Sequence, residues 1–415
     1  MSNNTSADVS LMREFNESLV LNLIRQAGRI SRADIAKRLH LSRSTVSSII
    51  NDLIANNLVR EVGAGDSQGG RRPIMLEFNG QAGYVVGVDV GATHILVLLT
   101  DLQAQPVVRL QEPFDVEEGP EVGLERIIGL IEQAVEEAEV GMDCVVGVGI
   151  GIPGPLNYAT GKTIFPPIMP GWHDIPLRDR LHKRLGKPIH LDNDANLGAI
   201  AEYWWGAGRG ARNVAFVKVG TGIGCGLILE GQIYRGEIGS AGEIGHAVID
   251  EDGPPCRCGS NGCLEAMASA SAIVQAFRQG SHSADEGSNL TILDLIEAAR
   301  NSDSTAQRLF AQAGRRIGTA LTSLVNLLNP GIIVIGGGVA RAGAFFLDPL
   351  RETVHRCALP VAVSSTQIVE SKLGPEAIAI GAVTAILQEF FSGPDIAVSC
   401  NPYTTSVEKS ALSAA

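Results

Sequence analysis

The sequence predicts a small helical domain with a β-hairpin, followed by a larger α/β body in two lobes. Its 415 residues are enough for two or three domains. Helical periodicity prevails before residue 57, whereas β-branched apolar segments alternate with helical ones after residue 83. Residues 25–60 contain seven basic and two acidic residues, a charge of +5, although the whole chain carries −12. The composition therefore indicates a basic module joined to an acidic body, and 45% hydrophobic residues exclude a disordered chain.

The basic module has the pattern of a winged helix-turn-helix. Residues 11–27 show helical periodicity and end at a glycine. Ser31 and Ser42 precede two further helices, to residue 39 and to about residue 56, as capping residues do. Residues 58–62 and 74–78 indicate two strands around a loop rich in Gly, Ser and Asp. We place this domain at residues 11–80.

The start of the third helix is the candidate DNA contact. Small hydroxyl side chains at a helix N-terminus can meet phosphate, while Arg43 or Thr45 reaches base edges. Two arginines at the end of the hairpin loop suit a wing that follows the DNA backbone. A three-helix protein–protein module with a capped helix is the alternative. The candidate DNA-binding residues are Ser42, Arg43, Ser44, Thr45, Ser47, Arg71 and Arg72.

The α/β pattern after residue 83 occurs twice. Strands and a helix precede residue 194, and a second set of strands and helices begins near residue 213. We assign residues 83–194 to a first lobe and 195–390 to a second lobe that contains a cysteine-rich loop. Residues 280–289 are predicted to be a polar surface loop, and 392–415 a flexible tail.

Three glycine-containing turns follow predicted strands in the two lobes. Such turns let backbone amides approach phosphate oxygens, and an Asp or Thr beside them can hold a metal ion or a phosphate. One turn alone is weak, because short glycine hairpins are common. Three turns spread over both lobes predict a nucleotide cleft between them. The candidate residues are Asp89, Gly91, Thr93, Gly220, Thr221, Gly222, Gly336 and Gly337.

Asp194 lies where a predicted strand ends and a helix begins. A carboxylate in this place can take a proton from a substrate hydroxyl as a general base. The neighbouring Asn193 can bind an adjacent hydroxyl. The alternative is an ordinary helix cap.

Three of the seven cysteines fall within eight positions, and His246 lies ten residues before them. Three thiolates and one imidazole form a closed tetrahedral site for structural zinc. The chain has no apolar stretch of about 18 residues and no signal peptide, so we expect a cytoplasmic protein that does not bind membranes. Reducing conditions there favour a metal over a disulfide. Unrelated buried thiols are the alternative.

Two carboxylates flank this cysteine cluster. Glu243 lies three residues before His246, and Glu265 two residues after Cys263. If zinc fixes the loop, both can face a polyhydroxylated ligand. Structural ion pairing is the alternative.

These motifs, in this order, resemble the ROK family of sugar repressors and sugar kinases. The resemblance extends from about residue 15 to residue 387, and the cysteine motif with its upstream Glu-x-x-His is its most specific part. The N-terminal module resembles regulators of the NagC, Mlc and XylR type, whereas kinases of the family generally lack it. The matching motifs are Asp89-x-Gly91-x-Thr93, Gly151-Ile152-Pro153-Gly154, Asn193-Asp194-Ala195-Asn196, Gly220-Thr221-Gly222-Ile223-Gly224, Gly242-Glu243-Ile244-Gly245-His246, Cys256-x-Cys258-Gly259-x-x-Gly262-Cys263-Leu264-Glu265 and Gly336-Gly337-Gly338-Val339.

The resemblance implies an actin-like, hexokinase-like body of the ATPase type, with a sugar or sugar phosphate in the cleft. Asp194 matches the general base of the kinases. The positions that match the family's sugar contacts are Asn193, Asp194, Glu243, His246 and Glu265. The positions that match its zinc ligands are His246, Cys256, Cys258 and Cys263.

Several positions depart from the kinase pattern. Kinases usually have Gly-Gly-Thr-Lys where this chain has Gly91-Ala92-Thr93-His94, and Gly where it has Cys225. Ala92 adds a methyl group where backbone should approach phosphate, and His94 lacks a constant positive charge. We therefore expect a sugar-responsive regulator of carbohydrate-utilisation genes, a repressor, that binds operator DNA as a homodimer or homotetramer. The alternatives are an ATP- and Mg²⁺-dependent sugar kinase with Asp194 as its base, and a scaffold that does not bind DNA.

Overall fold

The computed structural model describes residues 4–64, 72–164, 166–280, 290–393, 398 and 400. It contains an N-terminal domain with a three-stranded sheet and two α/β lobes, each built on a five-stranded sheet. A helical module followed by two α/β lobes is the order of parts that the amino-acid sequence predicts. None of the described helices is both long and apolar enough to cross a bilayer.

In the N-terminal domain, the predicted helix caps and the apolar helix faces specify the same helices. The Ser31 side chain accepts a hydrogen bond from the Asp34 backbone N–H, and Ser42 accepts one from Thr45. A third strand, too short to be detected from the sequence, pairs with one strand of the hairpin. The elements are α1 (Asn4–Ala27), β1 (Arg29–Ser31), α2 (Arg32–Leu39), α3 (Arg43–Ala55), β2 (Val59–Ala64) and β3 (Ile74–Phe78).

The first lobe is built on a mixed sheet. Its elements are β4 (Tyr84–Val90), β5 (His94–Asp101), β6 (Pro106–Pro113), α4 (Pro120–Glu137), β7 (Val145–Ile152), β8 (Leu156–Asn157), β9 (Lys162–Thr163), α5 (Leu177–Leu185) and β10 (Ile189–Asn193). The sheet order is β10-β7-β4-β5-β6. Strands β4, β7 and β10 run parallel, so their carboxyl ends meet at one edge of the sheet.

The second lobe repeats this plan. Its elements are α6 (Asp194–Trp204), β11 (Val214–Val219), β12 (Ile223–Leu229), β13 (Gln232–Tyr234), α7 (Leu264–Ala268), α8 (Ala270–Gly280), α9 (Ile292–Arg300), α10 (Ser304–Leu328), β14 (Ile332–Gly336), α11 (Ala344–Cys357), α12 (Pro360–Val363) and β15 (Gln367–Glu370). The sheet order is β13-β12-β11-β14-β15. The glycine turns after β11 and β14 therefore lie beside each other, because these two strands are parallel neighbours.

The last helix, α13 (Ala377–Ser392), returns to the first lobe. Gly87 on β4 and Gly149 on β7 let its backbone lie directly on the sheet, since a Cβ atom at either glycine would be 2.2 Å from one of its carbonyl oxygens. Leu387 and Phe391 then enter the hydrophobic core of the N-terminal domain. Chain order alone assigns residues 377–390 to the second lobe, and it does not reveal this return.

The residues after α13 make one covalent link to the body. Cys144, immediately before the first lobe's β7, forms a disulfide with Cys400, and Val398 lies against Gly83 and Val146. The cysteine count did not predict this bond, because a separation of 256 residues leaves no local signal. The remainder of the predicted tail and residues 281–289 of the loop predicted at 280–289 lie outside the described residues, whereas Gly280 ends the helix Ala270–Gly280.

Candidate functional site

A cavity of about 360 Å³ lies between the two lobes. The strand ends of both sheets open into it, and the first turn of α13 contributes Ala377 and Ile378 to its wall. The cavity brings together all the predicted sugar and nucleotide residues. They are Asp89, Gly91, Thr93, Asn193, Asp194, Gly220, Thr221, Gly222, Glu243, His246, Glu265, Gly336 and Gly337.

At the junction of β10 and α6, Asn193 caps the helix and Asp194 faces the cavity. The Asn193 side chain accepts hydrogen bonds from the N–H groups of Ala195 and Asn196, so it is the helix cap. Asp194 is buried, faces the cavity and forms an ion pair with Lys218. Burial raises the pKa of Asp194, whereas the Lys218 ammonium acts to lower it. The capping alternative thus applies to Asn193, and Asp194 is the carboxylate that faces the cavity.

Two further carboxylates face the same part of the cavity. Glu265, in the first turn of α7, accepts a hydrogen bond of 2.9 Å from the Ile223 N–H. Glu243 is half-buried, and burial raises its pKa to about 7, with further contributions from Asp194 and Glu265. A hydroxyl-rich ligand would supply the hydrogen-bond donors that these acceptors need.

The four predicted metal ligands converge. The ligand atoms of His246, Cys256, Cys258 and Cys263 all lie within 4.8 Å of one another. Cys256 Sγ is 3.7 Å from His246 Nδ1, and Cys258 Sγ is 3.6 Å from Cys263 Sγ. Three sulfur atoms and one imidazole nitrogen fit structural zinc. Since His246 also lines the cavity, this cluster fixes one wall of the candidate site.

The first glycine turn, between β4 and β5, is covered by an imidazole. A Cβ atom at Gly91 would be 2.5 Å from His94 Cε1, so the His94 ring lies directly over the glycine. His94 Nε2 is 3.6 Å from Asp89 Oδ2. Asp89 Oδ1 is buried and has no hydrogen-bond partner among the described residues.

Sequence analysis missed Lys218, which lies on β11 two residues before the second glycine turn. Its ammonium pairs with the Asp194 carboxylate. Burial alone would lower the pKa of Lys218, but the Asp194 and Asp89 carboxylates raise it above its ordinary value. The available signal was a single lysine inside the otherwise apolar strand Val214–Val219.

The predicted DNA-binding residues lie on an open surface of the N-terminal domain. Ser42, Arg43 and Ser44 are exposed at the start of α3, and Ser42 Oγ is 2.8 Å from both Ser44 Oγ and Thr45 Oγ1. The opposite face of α3 is held in the domain core by Val46, Ile49, Ile50 and Leu53. Thr45 and Ser47 are half-buried and Arg72 is exposed, whereas Arg71 lies outside the described residues.

A polar network, buried at Asp192 and His190 and exposed at Glu389, joins the cavity to the end of α13. Asp192, next to Asn193, accepts hydrogen bonds from the Arg235 guanidinium at 2.7 and 2.9 Å. His190, two residues earlier on β10, has Nδ1 2.7 Å from Glu389 Oε1 on α13. The last turn of α13 is anchored in turn to the N-terminal domain. Ser18 Oγ donates a hydrogen bond of 2.7 Å to the Phe391 carbonyl, and the Arg25 guanidinium lies 3.5 Å from the Phe391 ring centre.

Comparisons with known proteins agree with this architecture. The ROK family model matches residues 85–389, and a model for winged helix-turn-helix DNA-binding domains matches residues 16–60. The xylose repressor of Bacillus subtilis (strain 168) is 32% identical over 384 residues, which are 92% of this chain and 98% of that protein.

Two solved structures share this fold, one over nearly the whole chain and the other over about three quarters of it. A ROK family transcriptional regulator, described as a homolog of the E. coli MLC protein, has a TM-score of 0.77 and 28% identity, and covers 92% of this chain and 98% of its own. A ROK family glucokinase from Streptomyces griseus, solved with glucose and AMPPNP, has a TM-score of 0.66 and 30% identity, and covers 74% of this chain and 100% of its own. The predicted fold class, a winged helix-turn-helix before a two-lobed hexokinase-like body, is confirmed.

Proposed function

Because the chain belongs to the ROK family and carries a winged helix-turn-helix DNA-binding domain, we propose that it is a sugar-responsive transcriptional repressor of carbohydrate-utilisation genes. The observation that carries this proposal is the course of α13. Its first turn lines the cavity, and its last turn lies in the core of the N-terminal domain. One helix of 16 residues, about 24 Å long, therefore contacts both the ligand site and the DNA-binding domain.

The ligand site that we propose is the carboxylate-rich end of the cavity. Asp194, Glu243 and Glu265 offer acceptors for vicinal hydroxyl groups, and Asn193 and His246 lie beside them. A structural zinc ion held by His246, Cys256, Cys258 and Cys263 would keep the His246 ring in one orientation. A sugar is the ligand class that matches this set of groups.

The DNA-binding surface that we propose is the exposed first turn of α3. In a winged helix-turn-helix this helix enters the major groove with its N-terminal residues at the base edges. Ser42, Arg43, Ser44, Thr45 and Ser47 then meet bases or phosphates, and Arg71 and Arg72 extend the contact through the wing. A homodimer or homotetramer would place two such helices about 34 Å apart on a palindromic operator. A protein with this role works in the cytoplasm, where the DNA is.

A sugar kinase is the second candidate, because the family includes the glucokinase described above. Asp194 faces the cavity as a general base must. The residues around it do not fit Mg·ATP, however. The His94 ring covers Gly91, where phosphate would approach the backbone, and the Lys218 ammonium already neutralises Asp194. These two side chains favour the repressor.

Binding of Arg43→Ala to a specific duplex tests the proposal. The duplex is obtained by selecting from a randomised pool with the wild-type protein, and affinity is measured by fluorescence anisotropy. Loss of one base-reading arginine costs about 1–3 kcal/mol, which weakens binding by roughly 5–150-fold. Arg212→Ala, which removes an equal charge from an exposed position on the second lobe, should bind as wild type does. Equal affinity of Arg43→Ala and wild type would refute this DNA-binding surface.

A further inference from the structure

Lys218 lines the cavity, and the central strand of the second lobe fixes its position. It lies on β11, the central strand, with Gly224 of β12 and Gly336 of β14 as its register partners. Neither neighbour has a side chain, so the lysine has room to extend to Asp194. Only 18% of the Lys218 side chain is exposed.

The Lys218 ammonium forms an ion pair with the buried Asp194 carboxylate and interacts electrostatically with Asp89, which is also buried. The Asp194 side chain is 6% exposed and the Asp89 side chain 3%. Both carboxylates act on Lys218 and raise its pKa above the ordinary value, against the effect of burial, so it stays charged at neutral pH. Two carboxylates beside a glycine turn otherwise need a divalent cation that bridges them to phosphate oxygens. Here a side chain of the protein supplies that charge.

The first glycine turn is closed to phosphate by a second side chain. The His94 ring covers Gly91 and directs Nε2 towards Asp89, at 3.6 Å. A phosphate group that bound the backbone amides of this turn would have to displace the His94 ring.

The charges around the sugar residues also disfavour a phosphorylated ligand. Asp194, Glu243 and Glu265 carry the acceptors there, and Lys218 is already paired. The other basic side chains on the described cavity wall are His94, over Gly91, His246, in the cysteine cluster, and Arg341, after the third glycine turn. A phosphate ester among the three acidic residues would therefore meet repulsion and no unpaired ammonium beside it.

We propose that Lys218 and His94 make this cavity a receptor for an uncharged sugar that binds without nucleotide and without Mg²⁺. Lys218 supplies at Asp194 the positive charge that a divalent cation would bring, and His94 closes the phosphate turn beside Asp89. The inference rests on the proposed sugar site, and it adds the ligand class and the independence from nucleotide.

Thermal unfolding and calorimetric titration of the full, zinc-loaded chain test it. The probes are D-xylose, D-glucose and N-acetyl-D-glucosamine, their phosphate esters, MgCl₂ and AMPPNP. One uncharged sugar should raise the Tm by mass action, with a Kd that changes less than about twofold when Mg·AMPPNP is added and a phosphate ester that binds at least about tenfold more weakly. Mg·AMPPNP alone should give no binding heat.

Variants of Lys218 separate charge from fold. Lys218→Met removes the positive charge beside Asp89 and Asp194. Adding Mg²⁺ should therefore increase the sugar affinity of this variant by about tenfold. Lys218→Arg keeps the charge and should remain independent of Mg²⁺. Lys183→Met removes an exposed lysine from α5 and should match wild type.

The outcomes separate this inference from the proposed function. Sugar binding by the wild type that Mg·AMPPNP strengthens, or a phosphate ester that binds more tightly than its parent sugar, would overturn the inference alone. Binding of Mg·AMPPNP to the wild type would also overturn it, whether or not a sugar is found. Absence of binding by every sugar would refute the proposed ligand site, and this inference with it.

Discussion

His190 is the residue at which the cavity network meets α13. Its Nδ1 is 2.7 Å from Glu389 Oε1, and its Nε2 is 3.9 Å from Asp192 Oδ2, which Arg235 also holds. Burial acts to lower the pKa of His190, but the neighbouring Asp192 and Glu389 carboxylates raise it above its ordinary value of 6.5. Through its contact with Glu389, the His190 ring therefore joins β10 to α13.

This raised pKa predicts a pH-dependent stability. A group whose pKa is higher in the folded state stabilises the protein fully below its unfolded pKa, here about 6.5, and loses that contribution as pH rises through the folded value. We expect this contribution to the Tm to be lost as pH rises above about 6.5, and His190→Gln to reduce the slope of Tm against pH. His182→Gln, on the exposed end of α5, is the matched control. Equal slopes for His190→Gln and wild type would contradict the assignment.

At the scale of elements, the cysteine loop positions the wall of the ligand site. It carries His246 at one end and leads into Glu265 of α7 at the other. Loss of one zinc ligand should release this loop, because three ligands hold zinc far less firmly than four. Cys256→Ser should lose bound zinc, measured by atomic emission, and weaken sugar binding by about tenfold or more. Cys357→Ser, an exposed cysteine on α11, should keep both. Unchanged sugar affinity in zinc-free protein would refute the link between metal and ligand site.

Helix α13 gives a second prediction at this scale. The Phe391 ring is buried and packs edge-on against Phe78, with ring centres 5.8 Å apart. Phe391→Ala should cost about 3–5 kcal/mol of unfolding free energy and reduce the effect of sugar on DNA binding. Ser18→Ala removes only the hydrogen bond to the Phe391 carbonyl, worth about 1 kcal/mol, and should give a small change of the same sign. Denaturant unfolding and anisotropy check both variants, and full sugar response in a folded Phe391→Ala protein would rule out this route.

Elements with local signals could be predicted from the sequence, and elements held by distant contacts could not. The caps at Ser31 and Ser42 and the glycine turns depend on neighbouring residues, so the sequence contains what fixes them. The placement of α13 depends on Gly87 and Gly149, some 230 to 290 residues earlier. The role of Lys218 depends on its ion pair with Asp194, which lies on α6, so the residues around Lys218 in the sequence do not reveal it. The same holds for the pairing of Cys144 with Cys400.

On the scale of the whole molecule, the charge distribution favours DNA binding at the N-terminal domain and separates it from the proposed sugar site in the body. The window 25–60 carries +5 within a chain of −12, so the body repels DNA and the N-terminal domain attracts it. The residues proposed to bind sugar lie in the acidic body, joined to the basic domain by α13. A ligand can alter DNA affinity only if it binds the two arrangements of this unit unequally.

Operator affinity measured with and without the bound sugar tests this account most directly. The selected duplex is titrated by fluorescence anisotropy, first with the protein alone and then with the protein saturated by the sugar that raises its Tm. A coupling of about 1–3 kcal/mol predicts a change in Kd of roughly 5–150-fold. An operator Kd that is the same with and without saturating sugar would contradict the claim that this chain is a sugar-responsive repressor.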